Sequence, residues 1–410
     1  MSGFFDSEIW GYLFTALKYA YRLMPLWLPL LLLYLLFNSW IYYKRTKYWS
    51  SLGYKLLEIK LPREILKSPV AMEIVLGTFS QGGGEGTWID RIWHGKTRDW
   101  FSLEIVSREG EVHFYIWTRP KYKKVIETQI YSQYPGVEIY EVPDYTLPFY
   151  YDKEKIEIWG ADFILTRPDP YPIKTYVDYG LDKDPKEEFK IDPMTPLVEF
   201  LGSITQGQHI WVQIMVRAHK KRRVWDLFDE KEDAWVEEAK TEKEKILAKL
   251  KSDKDAGFPR IPTKVEGDTI AALERSVTKL PFDCGIRAVY IADKDKFNAS
   301  NIGGITGAWK QYGSANLNGF KPAGWMTIFD YPWQEWGGKK DALKPVLLEE
   351  YKLRNYFHST NMGSDFYSKP FVLNVEELAT IFHFPGSVLA TPTFTRLPSK
   401  KSNAPANLPI

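Results

Sequence analysis

The chain has 410 residues, with 54 lysines and arginines against 52 aspartates and glutamates and a net charge of +2. This balance argues against a dominant nucleic-acid-binding surface, because such surfaces usually carry a clear basic excess. The single cysteine, Cys284, excludes an internal disulfide, and the length allows two or more soluble domains.

The first 22 residues predict an amphipathic helix. Apolar residues recur at nearly helical spacing from Phe4 to Tyr21, and Glu8, Lys18 and Arg22 fall between them. Such a helix lies on a membrane surface or packs against a partner span. Pro25 then separates it from the next segment.

Residues 26–43 form a run without any charged residue. A helix needs about 20 apolar residues to cross a bilayer, and tryptophan and tyrosine prefer its two interfaces. The run therefore predicts a transmembrane anchor, and its representative residues are Leu26, Trp27, Leu30, Leu33, Leu36, Trp40 and Tyr43. A cleaved signal peptide and a buried core helix are the alternatives. The cations after the run, Lys44, Arg45 and Lys47, favour a single-pass protein of the cell membrane with a cytoplasmic C-terminal body.

Residues 48–150 predict a first α+β domain. Strand-like segments at 55–61, 100–107, 111–119 and 137–142 alternate with helical patterns at 66–79 and 122–134. The resulting order β-α-β-β-α-β is that of the ferredoxin-like, or split βαβ, fold.

Residues 151–370 predict a second domain of the same plan. Strand-like segments at 156–166, 209–217 and 284–292 and helices at 195–204 and 300–312 surround a long charged helical insertion at 224–280. The last region, 371–410, predicts a short helix and a proline-rich extended tail. The fold class expected is thus α+β, with an anchor region at 1–47 and two ferredoxin-like units.

Residues that carry chemistry are sparse. The glycine loop at 81–87 lacks the lysine that a phosphate-binding loop requires, and the six histidines are scattered without zinc-ligand spacing. Glu104 and Glu111 lie on predicted hairpin strands, where carboxylates usually face water. We therefore expect no catalytic residue, no metal and no cofactor.

The densest basic cluster is Lys220, Lys221, Arg222 and Arg223. One interpretation is a solvated turn at the end of a strand. The other is contact with an anionic partner, either nucleic acid or anionic lipid.

Residues 56–145, from "LLEIKLPREILKSPVAMEIV" to "YPGVEIYEVPDY", resemble an uncharacterised membrane-anchored module of candidate-phyla-radiation bacteria. Residues 371–409, "FVLNVEELATIFHFPGSVLATPTFTRLPSKKSNAPANLP", are similar to the segment that precedes a type IV secretion or conjugation-type ATPase in related proteins. This chain has no Walker lysine motif, so the resemblance implies that the ATPase is a separate chain.

The resemblance implies a non-enzymatic, membrane-bound scaffold of a DNA or protein translocation machine. Its docking element for the motor would be the short helix with Glu376, Glu377, Leu378, Ile381 and Phe382. Packing of that helix against its own body is the alternative. A membrane-surface hydrolase or transferase and a lipid- or substrate-binding module are the competing functions. Homo-oligomerisation and nucleic-acid contact stay open.

Overall fold

The computed structural model describes residues 3–62, 67–81, 86–183, 191–220, 234–252, 262–329, 331–335, 337–358 and 368–386. The chain forms two compact units. The first comprises Met1–Gly53 and Gly83–Arg98, and the second comprises Tyr54–Gly82 and Asp99–Ile410. We call the first the N-terminal unit and the second the body.

The helices of the described residues are α1 (Gly3–Arg22), α2 (Met24–Leu52), α3 (Val70–Gly77), α4 (Trp88–Ile92), α5 (Lys123–Gln133), α6 (Thr195–Gly202), α7 (Ala234–Ser252), α8 (Lys264–Thr278), α9 (Ser300–Gly307), α10 (Lys339–Lys352) and α11 (Val375–Ile381). The strands are β1 (Lys55–Lys60), β2 (Trp100–Arg108), β3 (Glu111–Thr118), β4 (Glu138–Val142), β5 (Ile156–Leu165), β6 (Gln208–Ala218), β7 (Pro281–Asp293), β8 (Phe320–Ala323) and β9 (Phe371–Asn374).

The N-terminal unit is built around α2, which follows α1 after a break at Leu23. Pro25 lies in the first turn of α2, a position where the missing N–H costs nothing. By length and composition, α2 is the one helix among the described residues that could cross a membrane, and no residue of its most apolar stretch is buried.

The body contains one mixed α/β arrangement around an antiparallel sheet of nine described strands. The strand order is β4-β1-β3-β2-β6-β7-β5-β8, and β9 pairs with β7 beside this path. Strand β2 pairs with β6 from Trp100↔Arg217 to Arg108↔His209. Strands that precede residue 150 and strands that follow it therefore form one continuous sheet. The residues on both sides of this position belong to one compact unit.

Both faces of the central strands are covered. One face carries large apolar residues, including Leu103, Ile214 and Ile286, each with no exposed surface. Phe382, directly after α11, packs against Phe114 on this face. Burial on both faces explains why β2 and β6 are nearly continuous runs of buried residues rather than alternating ones.

The predicted helical insertion is present as α7 and α8 between β6 and β7. Residues 221–233 and 253–261 of this insertion lie outside the described residues. The region after Asn316 contains β8, α10 and β9. Strand β8 has only four residues and contains Pro322, so it lacks the alternation of apolar and polar residues by which a strand is predicted.

Candidate functional site

A line of polar residues crosses the second face of the sheet. Successive register pairs bring together one residue from each of six adjacent strands, namely Glu58, Tyr115, Glu104, Gln213, Arg287 and Asp162. Paired residues of neighbouring strands lie about 4.5–5.5 Å apart, so the line is continuous. We call it the polar row. Its four last members are completely buried, which marks it as the most unusual feature of the body.

Arg354, just beyond the end of α10, forms the first charged centre of the polar row. Its Nε and one Nη lie 2.9 and 3.2 Å from the two carboxylate oxygens of Glu104. The guanidinium also binds both carboxylate oxygens of Asp144 and donates to the Lys352 carbonyl at 2.8 Å. All five donors of the guanidinium are therefore used.

Further polar groups complete this centre. The Tyr145 hydroxyl donates to Glu104 at 2.8 Å and lies 2.9 Å from the Tyr351 hydroxyl. Ser102 and Gln213 also donate to Glu104, at 2.8 and 3.2 Å. Burial, reinforced by the Glu104 charge, raises the pKa of both Tyr145 and Tyr351 well above the usual value. Both hydroxyls therefore stay protonated and keep their role as donors.

Arg287 and Asp162 form a second charged centre on the same row. Their Nε and Oδ1 atoms are 2.8 Å apart, and both side chains are completely buried. The Trp325 indole donates to the same Asp162 oxygen at 3.1 Å, and Arg287 donates to the Asn355 carbonyl at 3.3 Å. The Asp162 charge raises the pKa of Arg287 against the opposing effect of burial.

These two centres hold one segment, residues 351–356, onto the sheet. Arg354 reaches β2 and the residues after β4, whereas Asn355 is bound from β7. The carboxylates of both centres are neutralised by a guanidinium and are removed from water. Chemically, the arrangement cross-links distant parts of the body rather than presenting a reactive group.

The prediction that Glu104 faces water is wrong. Glu104 is completely buried, whereas Glu111 is exposed. The prediction failed because it assumed one solvated face for the hairpin. The neighbouring residues Phe101, Leu103, Ile105 and Val106 are apolar on both sides of the strand, which indicates a strand covered on both faces.

The predicted docking helix is α11, and the body encloses it. Glu376, Glu377, Leu378, Ile381 and Phe382 are each at most 3% exposed. The helix therefore packs against its own body, which was the alternative interpretation, and it offers no apolar face to a partner. The physical reason is that α11 joins the apolar core through Phe382 and Phe114. The tail from residue 387 onward lies outside the described residues.

Glu377 is the most unusual titratable group of α11. Its two oxygens accept from the Ile173 and Asn374 backbone N–H groups, both at 2.8 Å, and Asn374 in turn caps the helix. Burial outweighs these two hydrogen bonds and raises the pKa of Glu377 to about 8. Nearby Asp169 also has a raised pKa, about 6, because of burial.

The predicted basic cluster begins where β6 ends. Lys220 is described, whereas Lys221, Arg222 and Arg223 lie outside the described residues. Just before the cluster, Asp283 on β7 binds Arg217 at 2.9 Å and His219 at 2.5 Å. Arg217 near the end of β6 and His219 just after it thus both contact a carboxylate of the same sheet.

The seven predicted anchor residues all lie on α2. Leu26, Leu30, Leu33 and Leu36 are 62–69% exposed, and Trp27 and Tyr43 are also exposed. Trp40 is half-buried because its indole donates to the Ile92 carbonyl at 3.2 Å. Large apolar side chains therefore cover most of the surface of this helix.

The described residues of the body line several surface features, including grooves. One of about 600 Å³ is lined by Lys174, Asp178, Asp268 and Arg275, and a smaller one of about 240 Å³ includes Glu58 and His113. Arg275 in the larger groove already contacts Glu376 at 3.2 Å. Across the part of the chain that the structure describes, no group of three or more His, Cys, Asp and Glu residues is arranged to hold a metal ion.

The sequence of this chain matches a known protein family. A family model described as a domain of unknown function (DUF8128) matches residues 89–396, about three quarters of the chain. No curated protein matches the sequence.

Proposed function

We propose that this chain, which belongs to the DUF8128 family, is a membrane-anchored, non-enzymatic scaffold of a type IV secretion-like translocation machine that docks a separate motor ATPase. The observation that carries this proposal is α2, a long apolar helix whose surface is exposed along its most apolar stretch.

The length and the surface of α2 support a membrane anchor. Met24 to Tyr43 spans 20 residues without a charge, which corresponds to about 30 Å of helix and matches the apolar core of a bilayer. Exposed leucines at every position around such a helix are unfavourable in water and favourable in lipid. We take α2 as the one membrane span of the protein, with the body on the cytoplasmic side that Lys44, Arg45 and Lys47 favour.

The polar row supports a structural role for the body. A body that transmits force between a membrane and a motor needs a unique, rigid arrangement, and buried polar networks can specify one. Here, two guanidiniums tie residues 351–356 to strands from both halves of the sheet. A rigid cross-link of this kind suits a structural part.

The strand order supports a finer description of the body. We propose that it consists of two split βαβ units joined edge to edge through β2 and β6. In chain order the first half is β1-α3-β2-β3-α5-β4, and its spatial order is β4-β1-β3-β2. The second half is β5-α6-β6-β7-α9-β8 and is arranged as β8-β5-β7-β6, which is the same order read by position. The charged helices α7 and α8 occupy the place of the hairpin turn.

The motor contact is assigned to residues 387–410. This tail lies beyond α11 and the core residues Phe382 and Phe384, and its counterpart leads into an ATPase in the proteins that it resembles. Since α11 belongs to the core, the docking element has to be tested without removing that helix.

The test is a crosslinked purification from native membranes. The full-length chain is compared with a variant that ends at Pro385, which keeps α11 and its contacts. We expect a motor ATPase with the full-length chain and a large loss of it with the shortened chain, at equal amounts of folded bait. Recovery of no ATPase by the crosslinked full-length chain, or equal recovery by both chains, contradicts the docking role.

A further inference from the structure

Residues 86–98 form a compact element against the end of α2 within the N-terminal unit, and we call this element the collar. The Trp40 indole donates to the Ile92 carbonyl at 3.2 Å, and the Trp49 indole donates to the Thr97 hydroxyl at 2.9 Å. The rings of Trp40 and Trp93 meet edge to face, with their centroids 5.7 Å apart. The collar thus contacts α2 at Trp40 and again at Trp49, about two and a half turns further along the helix.

Gly95 allows the backbone of the collar to approach α2 closely. Its φ is +64°, which favours glycine, and a Cβ on it would overlap the Lys44 carbonyl group of α2. The two backbones therefore approach each other directly. Thr87 and Asp90 form a capping box at the start of α4, and Asp90 also binds Lys96 at 2.9 Å. These contacts order the collar at both ends.

The outer surface of the collar carries three large apolar side chains. Trp88, Ile89 and Trp93 are 58%, 43% and 53% exposed. Three exposed large side chains within six residues are unfavourable in water. Tryptophan in particular prefers the membrane interface, where its ring is apolar and its N–H can reach polar groups.

The position of the collar along α2 matches that preference. Its contacts begin at Trp40, in the last turn before the charge-free stretch ends at Tyr43. The cations Lys44, Arg45 and Lys47 follow on α2. The collar itself contains three cationic residues, Arg91, Lys96 and Arg98, and one acidic residue, Asp90. Basic residues at this level complement anionic lipid headgroups.

We propose that the collar is a lipid-binding element that lies in the headgroup region of an anionic bilayer. Trp88, Ile89 and Trp93 enter the interface, and the basic residues of the collar contact the anionic headgroups. The proposal rests on the proposed function, since it takes α2 as the membrane span. It adds a second attachment that fixes the depth of α2 and restricts its sliding along the bilayer normal.

The experiment measures the depth of spin labels on the full-length chain in phosphatidylcholine vesicles, with and without phosphatidylglycerol. Single labels are placed through Ile89→Cys and Trp93→Cys in the collar, Leu33→Cys in the middle of α2, and Glu244→Cys on the charged helix α7. Cys284 is completely buried and serves as the unlabelled background. Relative accessibility to oxygen and to a water-soluble nickel complex gives the depth of each label.

We expect the Leu33 label deep in the apolar core, both collar labels at headgroup depth, and the Glu244 label in water. Phosphatidylglycerol should lower the accessibility of the collar labels to the nickel complex. If the Leu33 label is deep but both collar labels match Glu244, the collar proposal fails and the anchor proposal survives. If the Leu33 label itself lies in water, the anchor proposal fails and the collar proposal fails with it.

Discussion

The two units of this protein distribute their side chains in opposite ways. The N-terminal unit exposes apolar residues, from Leu26 to Trp93, whereas the body buries charged ones, including Glu104, Arg287 and Arg354. Each choice is costly in water unless something compensates for it. The exposed apolar surface of the first unit fits the lipid environment that we propose for it, whereas the body supplies its own compensation through internal ion pairs.

The buried carboxylates of the two charged centres, Glu104, Asp144 and Asp162, are each bound by a guanidinium, and this makes the body sensitive to the loss of either cation. A buried ion pair contributes little net stability over apolar residues of similar shape, yet loss of one partner leaves a charge stranded. The largest effects should therefore come from the centre of the polar row.

Replacement of Arg354 should have the largest effect. Arg354→Met leaves the carboxylates of Glu104 and Asp144 buried without their cation. We expect a loss of about 3–5 kcal/mol in the free energy of unfolding of the body. Urea denaturation of the detergent-solubilised full-length chain, followed by the near-ultraviolet signal of the buried aromatic residues, measures this loss.

The control for that variant is Lys55→Met. Lys55 binds Glu141 across two strands, but both side chains are more than a third exposed. Exposed pairs contribute little, so the urea midpoint should not move. Equal shifts of the urea midpoint in Arg354→Met and Lys55→Met would show that burial of the charged centre does not increase its contribution to stability.

A smaller effect should appear as a pH dependence. The pKa of Glu377 is about 8 in the folded chain and near 4.5 when exposed, so the folded state holds a proton that the unfolded state releases. Stability from this group is therefore full below about pH 4.5 and falls as the pH rises towards 8. Glu377→Gln carries no proton to release, so its stability should fall less between pH 5 and pH 8.

Unfolding midpoints of the unchanged chain and of Glu377→Gln are measured between pH 5 and pH 8. The difference between the two midpoints at each pH reports on Glu377, because the two proteins share all other titratable groups. Asp169, with a pKa of about 6, should leave part of the slope in the variant. Parallel curves would mean that Glu377 is ionised in the folded chain.

The smallest effect on stability is expected at Gly95. Gly95→Ala forces a Cβ against the Lys44 carbonyl group and strains the positive φ. The collar should separate from α2, which raises amide hydrogen exchange of residues 86–98 while the unfolding midpoint of the body stays unchanged. Gly77→Ala, where a Cβ meets no atom within 4 Å, is the matched control. Unchanged amide hydrogen exchange in Gly95→Ala would show that the collar is not packed against α2.

Local patterns were sufficient to predict the apolar helix α2, the hairpin of β2 and β3, and the helices of the charged insertion. The strands β8 and β9 were missed because four residues cannot show a period of two. The joining of two halves into one sheet was also missed, since the pairing of β2 with β6 depends on residues about 100 positions apart.

The charged centres lay beyond sequence reasoning for a similar reason. Arg354 and Glu104 are 250 positions apart, and neither belongs to a motif. The available signal was Glu104 itself, a lone carboxylate in a strand with apolar residues on both faces. Such a residue requires a buried cation, although the sequence does not say which one.

Alkaline carbonate extraction of native membranes tests the central claim, that α2 holds this protein in a bilayer. An exposed apolar helix of 20 charge-free residues stays in lipid when surface electrostatics are disrupted. We expect the full-length chain to remain in the membrane pellet. Recovery of the full-length chain in the soluble fraction would contradict it.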